Sequence, residues 1–142
     1  MDSDQVSELL GYVKENSDTD FLYPMLVFAA CTGARRSELV RSIRDDFDFE
    51  HDQVTIRERK RVKSKATTSR TVPMYPLLKT VMQDWFRQSS GYHTLKDGLK
   101  PEHAYRQFKR VVKGSKWEVV KGFHLLRHSF GANAVRSGDV SR

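Results

Sequence analysis

The sequence contains a single cysteine, Cys31, in 142 residues, and this scarcity excludes a fold built on disulfide bonds. No apolar run approaches the roughly 20 residues that a membrane-spanning helix needs, since the longest covers only 25–31. The N-terminus also lacks the basic and apolar regions of a secretion signal. These absences predict a cytoplasmic protein in a reducing compartment, with Cys31 as a small core residue.

Acidic residues are concentrated in the first twenty positions. Residues 1–20 hold six acids and one base, a net charge of −5, whereas the whole chain carries +7. Residues 21–142 therefore carry a net charge of +12. A cationic excess of this density points to a polyanionic partner, most simply nucleic acid, and a merely basic solvated surface is the alternative.

Hydrophobic periodicity predicts one domain of the α+β class, mainly helical with a small antiparallel hairpin or sheet. An amphipathic helix over 4–15, with Asp4 as its N-cap, precedes a helix over 21–31 that is apolar on all sides. Further helices are predicted over 35–43 and 76–87, from Pro101 onward and from about residue 124. VTIRER and SRTVPM alternate as paired strands, with Pro73 ending the ladder, and the stretch DDFDFEHDQ, residues 45–53, reads as a turn region.

The stretch CTGARRSEL, residues 31–39, places two arginines directly after the buried helix. Gly33 allows a tight bend, so that a second helix starts almost at once. Arg35 and Arg36 then emerge beside the apolar core, where a guanidinium needs a carboxylate or another anion. Glu38 is the local partner for a structural ion pair, and a bound phosphate is the alternative. The residues alone leave both interpretations open.

A strongly basic segment separates the two predicted strands. From Arg57 to Arg70 the chain holds seven basic residues and one acid, Glu58. A hairpin tip of this composition can lie along a DNA groove and contact phosphates. A solvated basic face is the alternative.

The stretch GFHLLRHSF, residues 122–130, crowds His124, Arg127 and His128 into one predicted helical turn. Like charges at this spacing repel each other, so an anion docked on the turn would explain the pattern. The free N–H groups of a first helical turn also favour an anion. A capping histidine beside a surface arginine is the alternative. A zinc site fits poorly, because the two histidines have no accompanying glutamate and no third ligand nearby.

The order of these three motifs resembles the catalytic domain of the tyrosine recombinases, the phage integrase family. That family has an arginine in a TG-x-R-x-SEL junction, which falls on Arg35. It has a lysine in a β-hairpin turn ahead of a strand ending in VP. The distance to Pro73 selects Lys65, and Lys63 is the alternative. Its H-x-x-R-H motif at the start of a late helix falls on 124–128.

The resemblance implies site-specific DNA recombination or integration, with no metal and no cofactor. A tyrosine attacks a DNA phosphodiester and forms a 3′-phosphotyrosyl link, which a 5′-hydroxyl later reverses. Arg35 and Arg127 are expected to bind the phosphate, Lys65 to protonate the leaving 5′-oxygen, and His124 to assist proton transfer. Further contacts to double-stranded DNA are expected from Arg36, Arg61, Lys63, Arg70 and His128.

The sequence departs from the family pattern at the nucleophile. All five tyrosines lie at or before position 105, upstream of the H-x-x-R-H motif. We therefore expect residues 1–142 to be a catalytic domain truncated before the tyrosine, without the N-terminal core-binding domain. Such a fragment is expected to bind DNA in the cytoplasm, in association with the nucleoid, but not to cleave it alone. The full-length protein is expected to assemble as a tetramer on DNA.

Three other interpretations are open. The chain could be a non-catalytic DNA-binding remnant of an integrase. It could be a type IB topoisomerase-like domain, which uses the same chemistry to relax supercoils. It could also be a basic helical protein with no site, which requires three motifs to fall in family order by chance.

Overall fold

Helix α2 (Leu22–Thr32) forms the centre of the fold in the computed structural model, which describes residues 2–58, 68–120 and 122. Ten of its eleven residues are buried, as its uniformly apolar sequence predicts. Helices from both ends of the described chain pack around it. The helices are α1 (Ser3–Asn16), α2 (Leu22–Thr32), α3 (Arg36–Arg41), α4 (Pro76–Gln88) and α5 (Pro101–Val112).

The packing faces of the outer helices follow the predicted apolar stripes. The stripes of α1 and α5 are buried along their whole length, whereas in α4 Leu77 takes a buried position and Val81 is only partly buried. Side chains of α1 and α5 at these stripes are Val6, Leu9, Leu10, Val13, Ala104, Phe108, Val111 and Val112. The prediction of a mainly helical α+β domain is confirmed.

A three-stranded antiparallel sheet lies against one side of this helical core. Its strands are β1 (Phe47–Asp48), β2 (Gln53–Arg57) and β3 (Ser69–Pro73), in the order β1-β2-β3. Val54 and Ile56 point inward from β2 and are buried, as the alternation predicts, and Pro73 forms the last pair of the β2–β3 ladder, with Gln53. The sequence did not predict strand β1, because its two residues lie in a stretch rich in Asp that reads as a turn.

The helix starts show which local signals decided the boundaries. Asp2, not the predicted Asp4, caps α1. Its carboxylate accepts the N–H of Gln5 at 2.8 Å, and the Gln5 side chain returns a bond to the Asp2 N–H at 2.9 Å. Pro76 and Pro101 occupy the first positions of α4 and α5, where the missing N–H costs no helical bond. The helix predicted over 35–43 is shorter and ends at Arg41.

An aromatic cluster joins the sheet to the helices. The ring of Phe47, on β1, lies 5.2 Å from that of Phe28 on α2 and 5.4 Å from that of Phe86 on α4. Phe49 stacks on Phe47 at 5.9 Å. These contacts fix the sheet at the edge of the core that α2 and α4 share.

The connection between α4 and α5, residues 89–100, is fastened to the end of α3. The hydroxyls of Ser42 and Thr94 are 2.6 Å apart, and the Thr94 N–H donates to the Ser42 carbonyl at 2.9 Å. The indole N–H of Trp85 donates to the Thr94 carbonyl at 2.8 Å. Short 3-10 turns at Arg44–Asp46 and Lys116–Val119 complete the described elements, none of which is a helix long and apolar enough to cross a membrane. The helix predicted from about residue 124 lies outside the described residues.

Candidate functional site

The junction between α2 and α3 is a sharp backbone turn that exposes an arginine. Gly33 ends α2 with a φ of 71°, a left-handed conformation that glycine adopts without steric cost. The hydroxyl of Thr32 donates to the Phe28 carbonyl at 2.7 Å and accepts the Ala34 N–H at 3.2 Å. The chain can then start α3 at once, with Arg35 as its N-cap residue.

The backbone of Arg35 is held by a hydrogen bond, whereas its side chain has no hydrogen-bond or ion-pair partner among the described residues. Its N–H donates to Oε1 of Glu38 at 2.8 Å, the N3 half of a capping box. Its guanidinium is exposed and makes no hydrogen bond or ion pair with any other residue that the structure describes. A fixed backbone thus presents to solvent a cation that has no partner among the described residues.

Glu38 is a buried carboxylate that serves two arginines. The residue is only 3% exposed. Its Oε2 accepts Nη1 of Arg70 at 3.0 Å, and its Oε1 accepts Nη2 of the same guanidinium at 3.2 Å. Burial alone would raise the pKa of Glu38. The hydrogen bonds from Arg70 and from the Arg35 N–H, together with both positive charges, outweigh burial and lower that pKa.

The sequence left open whether the junction arginines pair with Glu38 or bind a phosphate, and this arrangement answers part of that question. A structural ion pair exists, but its cation is Arg70, 32 positions away, instead of a neighbouring arginine. Arg36 also has a partner, because its guanidinium carbon lies 4.9 Å above the centre of the Tyr105 ring on α5. Arg35 is left as the junction arginine without a side-chain partner in the described chain.

A second guanidinium–carboxylate pair fastens the other strand of the hairpin. Nε of Arg57, at the end of β2, lies 3.0 Å from both carboxylate oxygens of Asp46, and Nη2 lies 2.9 Å from Oδ1. The Asp46 side chain is 3% exposed and also accepts the Ile43 N–H at 3.1 Å. Its hydrogen bond and charge raise the pKa of the Arg57 guanidinium. Arg41 of α3 donates to the Arg57 carbonyl at 2.7 Å.

The described part of the chain contains three of the nine predicted site residues, namely Arg35, Arg36 and Arg70. The other predicted catalytic residues, Lys65, His124 and Arg127, lie outside the described residues. So do three predicted DNA contacts, Arg61, Lys63 and His128. The DNA contacts predicted for Arg36 and Arg70 stay predictions, although both guanidiniums already have partners within the chain.

Sequence reasoning missed Asp46, one of the acids that organise the site, and offered Glu38 only as the partner of a neighbouring arginine. Asp46 read as part of a turn region, and no sequence pattern links it to Arg57. The bond from Glu38 to the Arg35 backbone had a usable signal, since a glutamate three residues after an N-cap is the spacing of a capping box. Among the described residues, no three His, Cys, Asp or Glu side chains gather into a group that could hold a metal ion.

The fold and the arginine junction together define an α+β domain of the tyrosine-recombinase type. The chain belongs to the phage integrase family, whose family model matches residues 1–141. A comparison with curated proteins found no match.

Two solved structures of the Tn1549 transposon integrase share this fold. The complex with transposon right end DNA is 19% identical, with a TM-score of 0.67, and the match covers 94% of this chain and 52% of that chain. The complex with a circular intermediate DNA is 15% identical, with a TM-score of 0.58, and the match covers 92% of this chain and 54% of that chain. The chain therefore spans about half the length of the integrase chains it matches.

Proposed function

We propose that residues 1–142 form the catalytic domain of a tyrosine recombinase, which binds double-stranded DNA and takes part in site-specific strand cleavage and rejoining. Membership of the phage integrase family supports the class of reaction. The integrases of similar fold were solved in complex with DNA, which supports the class of substrate. The net charge of +7 is the electrostatic condition that a DNA backbone requires.

In the proposed reaction, a tyrosine oxygen attacks the scissile phosphorus and the bond from phosphorus to the 5′-oxygen breaks. The phosphate becomes a 3′-phosphotyrosyl ester, so that the free 5′-hydroxyl of a partner strand can later reverse the step without ATP. Arg35 and Arg127 bind the non-bridging oxygens, each contributing on the order of a few kcal/mol in the transition state. Lys65 donates the proton that the leaving 5′-oxygen needs, and His124 assists proton transfer at the phosphate or the nucleophile.

One observation carries this proposal, namely the state of Arg35. A guanidinium beside the core of a protein normally finds a carboxylate, and Glu38 is only three positions away. The carboxylate is nevertheless taken up by Arg70 and by the Arg35 backbone, while the Arg35 side chain stays exposed. With its backbone held and its guanidinium without a partner among the described residues, Arg35 is available to bind an anion.

The remaining predicted DNA contacts divide according to their partners. Arg61, Lys63 and His128 are proposed to touch the DNA around the scissile phosphate. Arg36 and Arg70 are proposed to add positive charge beside the site, since their guanidiniums are engaged by Tyr105 and Glu38.

Binding to a DNA duplex as a function of salt tests the proposed substrate. Affinity should fall linearly with salt on logarithmic axes, and Arg35→Ala should weaken binding by roughly 10- to 100-fold, as for a lost charge-assisted hydrogen bond. Lys79→Ala is the matched control, because it removes one positive charge from an exposed pair with Asp52. An equal loss in both variants would mean that only net charge matters and that Arg35 binds no phosphate.

Covalent capture on a nicked suicide substrate tests the proposed chemistry. Residues 1–142 alone should give no adduct, because none of their tyrosines follows the H-x-x-R-H motif. Addition of a recombinase subunit that donates its tyrosine in trans should restore the adduct, and Arg35→Ala should abolish it. An adduct formed by residues 1–142 alone would contradict the assignment. DNA binding with no adduct under any condition would instead favour a non-catalytic integrase remnant.

A further inference from the structure

Arg70 occupies a position that links the hairpin to the arginine junction. It lies on β3, paired across the ladder with Ile56 of β2. Its guanidinium reaches out of the sheet to the buried carboxylate of Glu38 on α3, at 3.0 and 3.2 Å. Nη1 also lies 3.5 Å from Oε2 of Glu58. The Arg70 side chain is 34% exposed, whereas that of Glu38 is 2% exposed.

The carboxylate that binds Arg70 also holds the backbone of Arg35. Oε1 of Glu38 accepts Nη2 of Arg70 and, at 2.8 Å, the N–H of Arg35. A two-bond path therefore runs from a strand of the hairpin, through one buried oxygen, to the N-cap of α3. Arg70 and Arg35 are the charged groups that act on Glu38 from the described elements, and Glu58 lies on the other side of Arg70.

We infer that Arg70 is a positioning residue for Arg35, acting through Glu38, and is not itself a DNA contact. The role assigned to Arg35 in this inference rests on the proposed function, whereas the link from Arg70 to the Arg35 backbone does not. Arg70 offers two parallel N–H donors to both oxygens of Glu38, which fixes the plane of the carboxylate. The orientation of this plane in turn sets the direction of the hydrogen bond from the Arg35 N–H to Oε1 of Glu38.

The physical reason is the burial of Glu38. A carboxylate that is 3% exposed stays ionised only if nearby positive charge and hydrogen bonds compensate for lost water. Without Arg70, burial raises the pKa of Glu38, and the carboxylate loses the two N–H donors that fix its plane at the Arg35 N–H. The hydrogen bond at the N-cap of α3 would weaken, and the backbone of Arg35, from which the guanidinium extends, would no longer be held.

The same bond makes the base of the hairpin and the junction move together. Arg70 on β3 is tied to α3, and Arg57 on β2 is tied to Asp46 and to Arg41 of α3. Both strands of the hairpin are therefore fastened to the segment that carries Arg35. This fastening holds the described ends of β2 and β3 at a set position relative to Arg35.

The amide resonance of Arg35 provides a test that needs no DNA. In the unaltered protein its chemical shift should follow the titration of Glu38, with a midpoint below the ordinary glutamate value of 4.5. Arg70→Gln should move the midpoint upward, because burial then dominates, and Arg70→Lys should bring it part of the way back. Lys79→Gln, which removes one charge from the exposed pair with Asp52, should leave the midpoint unchanged.

An unchanged Arg35 amide shift and titration midpoint in a folded Arg70→Gln protein would overturn the inference. Should Arg70→Gln not fold, judged from the remaining amide spectrum, Arg70→Lys decides the question. Its ammonium lacks the pair of parallel N–H donors with which the guanidinium meets both oxygens of Glu38. A midpoint that rises in Arg70→Lys supports the inference, and a midpoint equal to that of the unaltered protein overturns it.

A thermodynamic cycle on DNA separates positioning from direct contact. If Arg70 acts through Arg35, the double variant Arg35→Ala/Arg70→Gln should bind DNA as the charge-matched Arg35→Ala/Lys79→Gln does, within about twofold. A clearly larger loss in Arg35→Ala/Arg70→Gln would show that Arg70 contacts DNA itself and would overturn the inference. If the unaltered protein binds no DNA, the proposed function fails, whereas the amide titration still decides whether Arg70 positions Arg35.

Discussion

The carboxylate of Glu38 and the backbone nitrogen of Arg35 are joined by a hydrogen bond of 2.8 Å at the start of α3. This bond uses the acid that lies nearest in sequence to the junction arginine, and it leaves the guanidinium without a side-chain partner in the described chain. The site is therefore assembled by giving Glu38 another cation, Arg70, at a distance of 3.0 Å. Glu38 thus holds the Arg35 backbone while its negative charge is paired with Arg70, so the Arg35 guanidinium is available for another anion.

Stability should depend on pH through Glu38. Its pKa is lower in the folded protein than the ordinary value of 4.5, so its ionised form stabilises the fold above pH 4.5, and this contribution is lost as pH falls through the folded value. Glu38→Gln removes the titration, and the variant should be less stable at pH 7 by about 1–3 kcal/mol. The difference between the two proteins should shrink on acidification, as measured by urea unfolding from pH 7 to pH 3.

Asp48 and Asp97 also have lowered pKa values, mainly because of hydrogen bonds from His51 and from the His93 N–H, and both contribute to acid sensitivity. Both are present in the unaltered protein and in Glu38→Gln alike, so the difference between the two proteins isolates Glu38. A difference in stability that stays constant over the whole pH range would contradict the assignment.

Asp46 and Asp48 form a matched pair of substitutions at the sheet. The Asp46 side chain is 3% exposed and binds Arg57 and the Ile43 N–H, whereas that of Asp48 is 47% exposed and pairs with His51. Asp46→Asn should lower the free energy of unfolding by about 1–3 kcal/mol. The new amide either points an N–H donor at the Arg57 guanidinium or leaves that guanidinium without an acceptor. Asp48→Asn should change the stability little, because water screens an exposed pair. Equal losses in thermal unfolding would show that burial of the acid is unimportant.

The thiol of Cys31 should be unreactive in the folded protein. Burial raises its pKa to about 12, and the side chain is 1% exposed on α2. Because the thiolate is the reactive form, alkylation at pH 8 should be slow and should follow the rate at which the core opens. Addition of urea should accelerate labelling in parallel with unfolding. Rapid labelling at zero denaturant would mean that α2 is not enclosed as described.

Three glycines should respond differently to alanine. Gly91 has a φ of 121°, and an added Cβ would lie 2.8 Å from Oδ2 of Asp97. Gly98 has a φ of 79°, but nothing lies within 4 Å of its Cβ position, and Gly11 lies inside α1 with equally open surroundings. Gly91→Ala should therefore destabilise most and Gly98→Ala by about 1 kcal/mol, whereas Gly11→Ala should stabilise by about 0.5–1 kcal/mol.

Thermal unfolding of the three single variants measures this order. In Gly91→Ala the carboxylate of Asp97 must also move away from the His93 N–H, which it accepts at 2.8 Å. The amide shift of His93 should therefore change in that variant and not in Gly98→Ala. The same loss of stability in both variants would show that strain in the backbone alone accounts for the effect.

The helices were predictable because their signals are local. Leu22–Thr32 is apolar at almost every position, Pro76 and Pro101 mark two helix starts, and the α1 stripe recurs with helical spacing. The error at Asp4 is equally local. Two aspartates lie two residues apart, and the choice of Asp2 depends on Gln5 standing three positions later.

The pairing of charges could not be predicted, because it depends on the folded arrangement. Arg70 reaches Glu38 across 32 positions, and Arg57 reaches Asp46 across 11, so both bonds exist only once the hairpin lies against α3. The motif order singled out Arg35, since a TG junction followed by SEL is a pattern within one short stretch, and the role of Arg35 stays a prediction. Where that arginine would find its partner required the geometry of a strand far along the chain.

The enclosure of α2 by the other four helices of the described residues has a consequence for hydrogen exchange. The amide hydrogens along most of this helix can reach solvent only when the whole domain unfolds, so they should report its global stability. Arg35 follows the last turn of this helix after only two residues, Gly33 and Ala34. The exposed Arg35 thus lies directly after α2, the helix whose amides are expected to exchange most slowly.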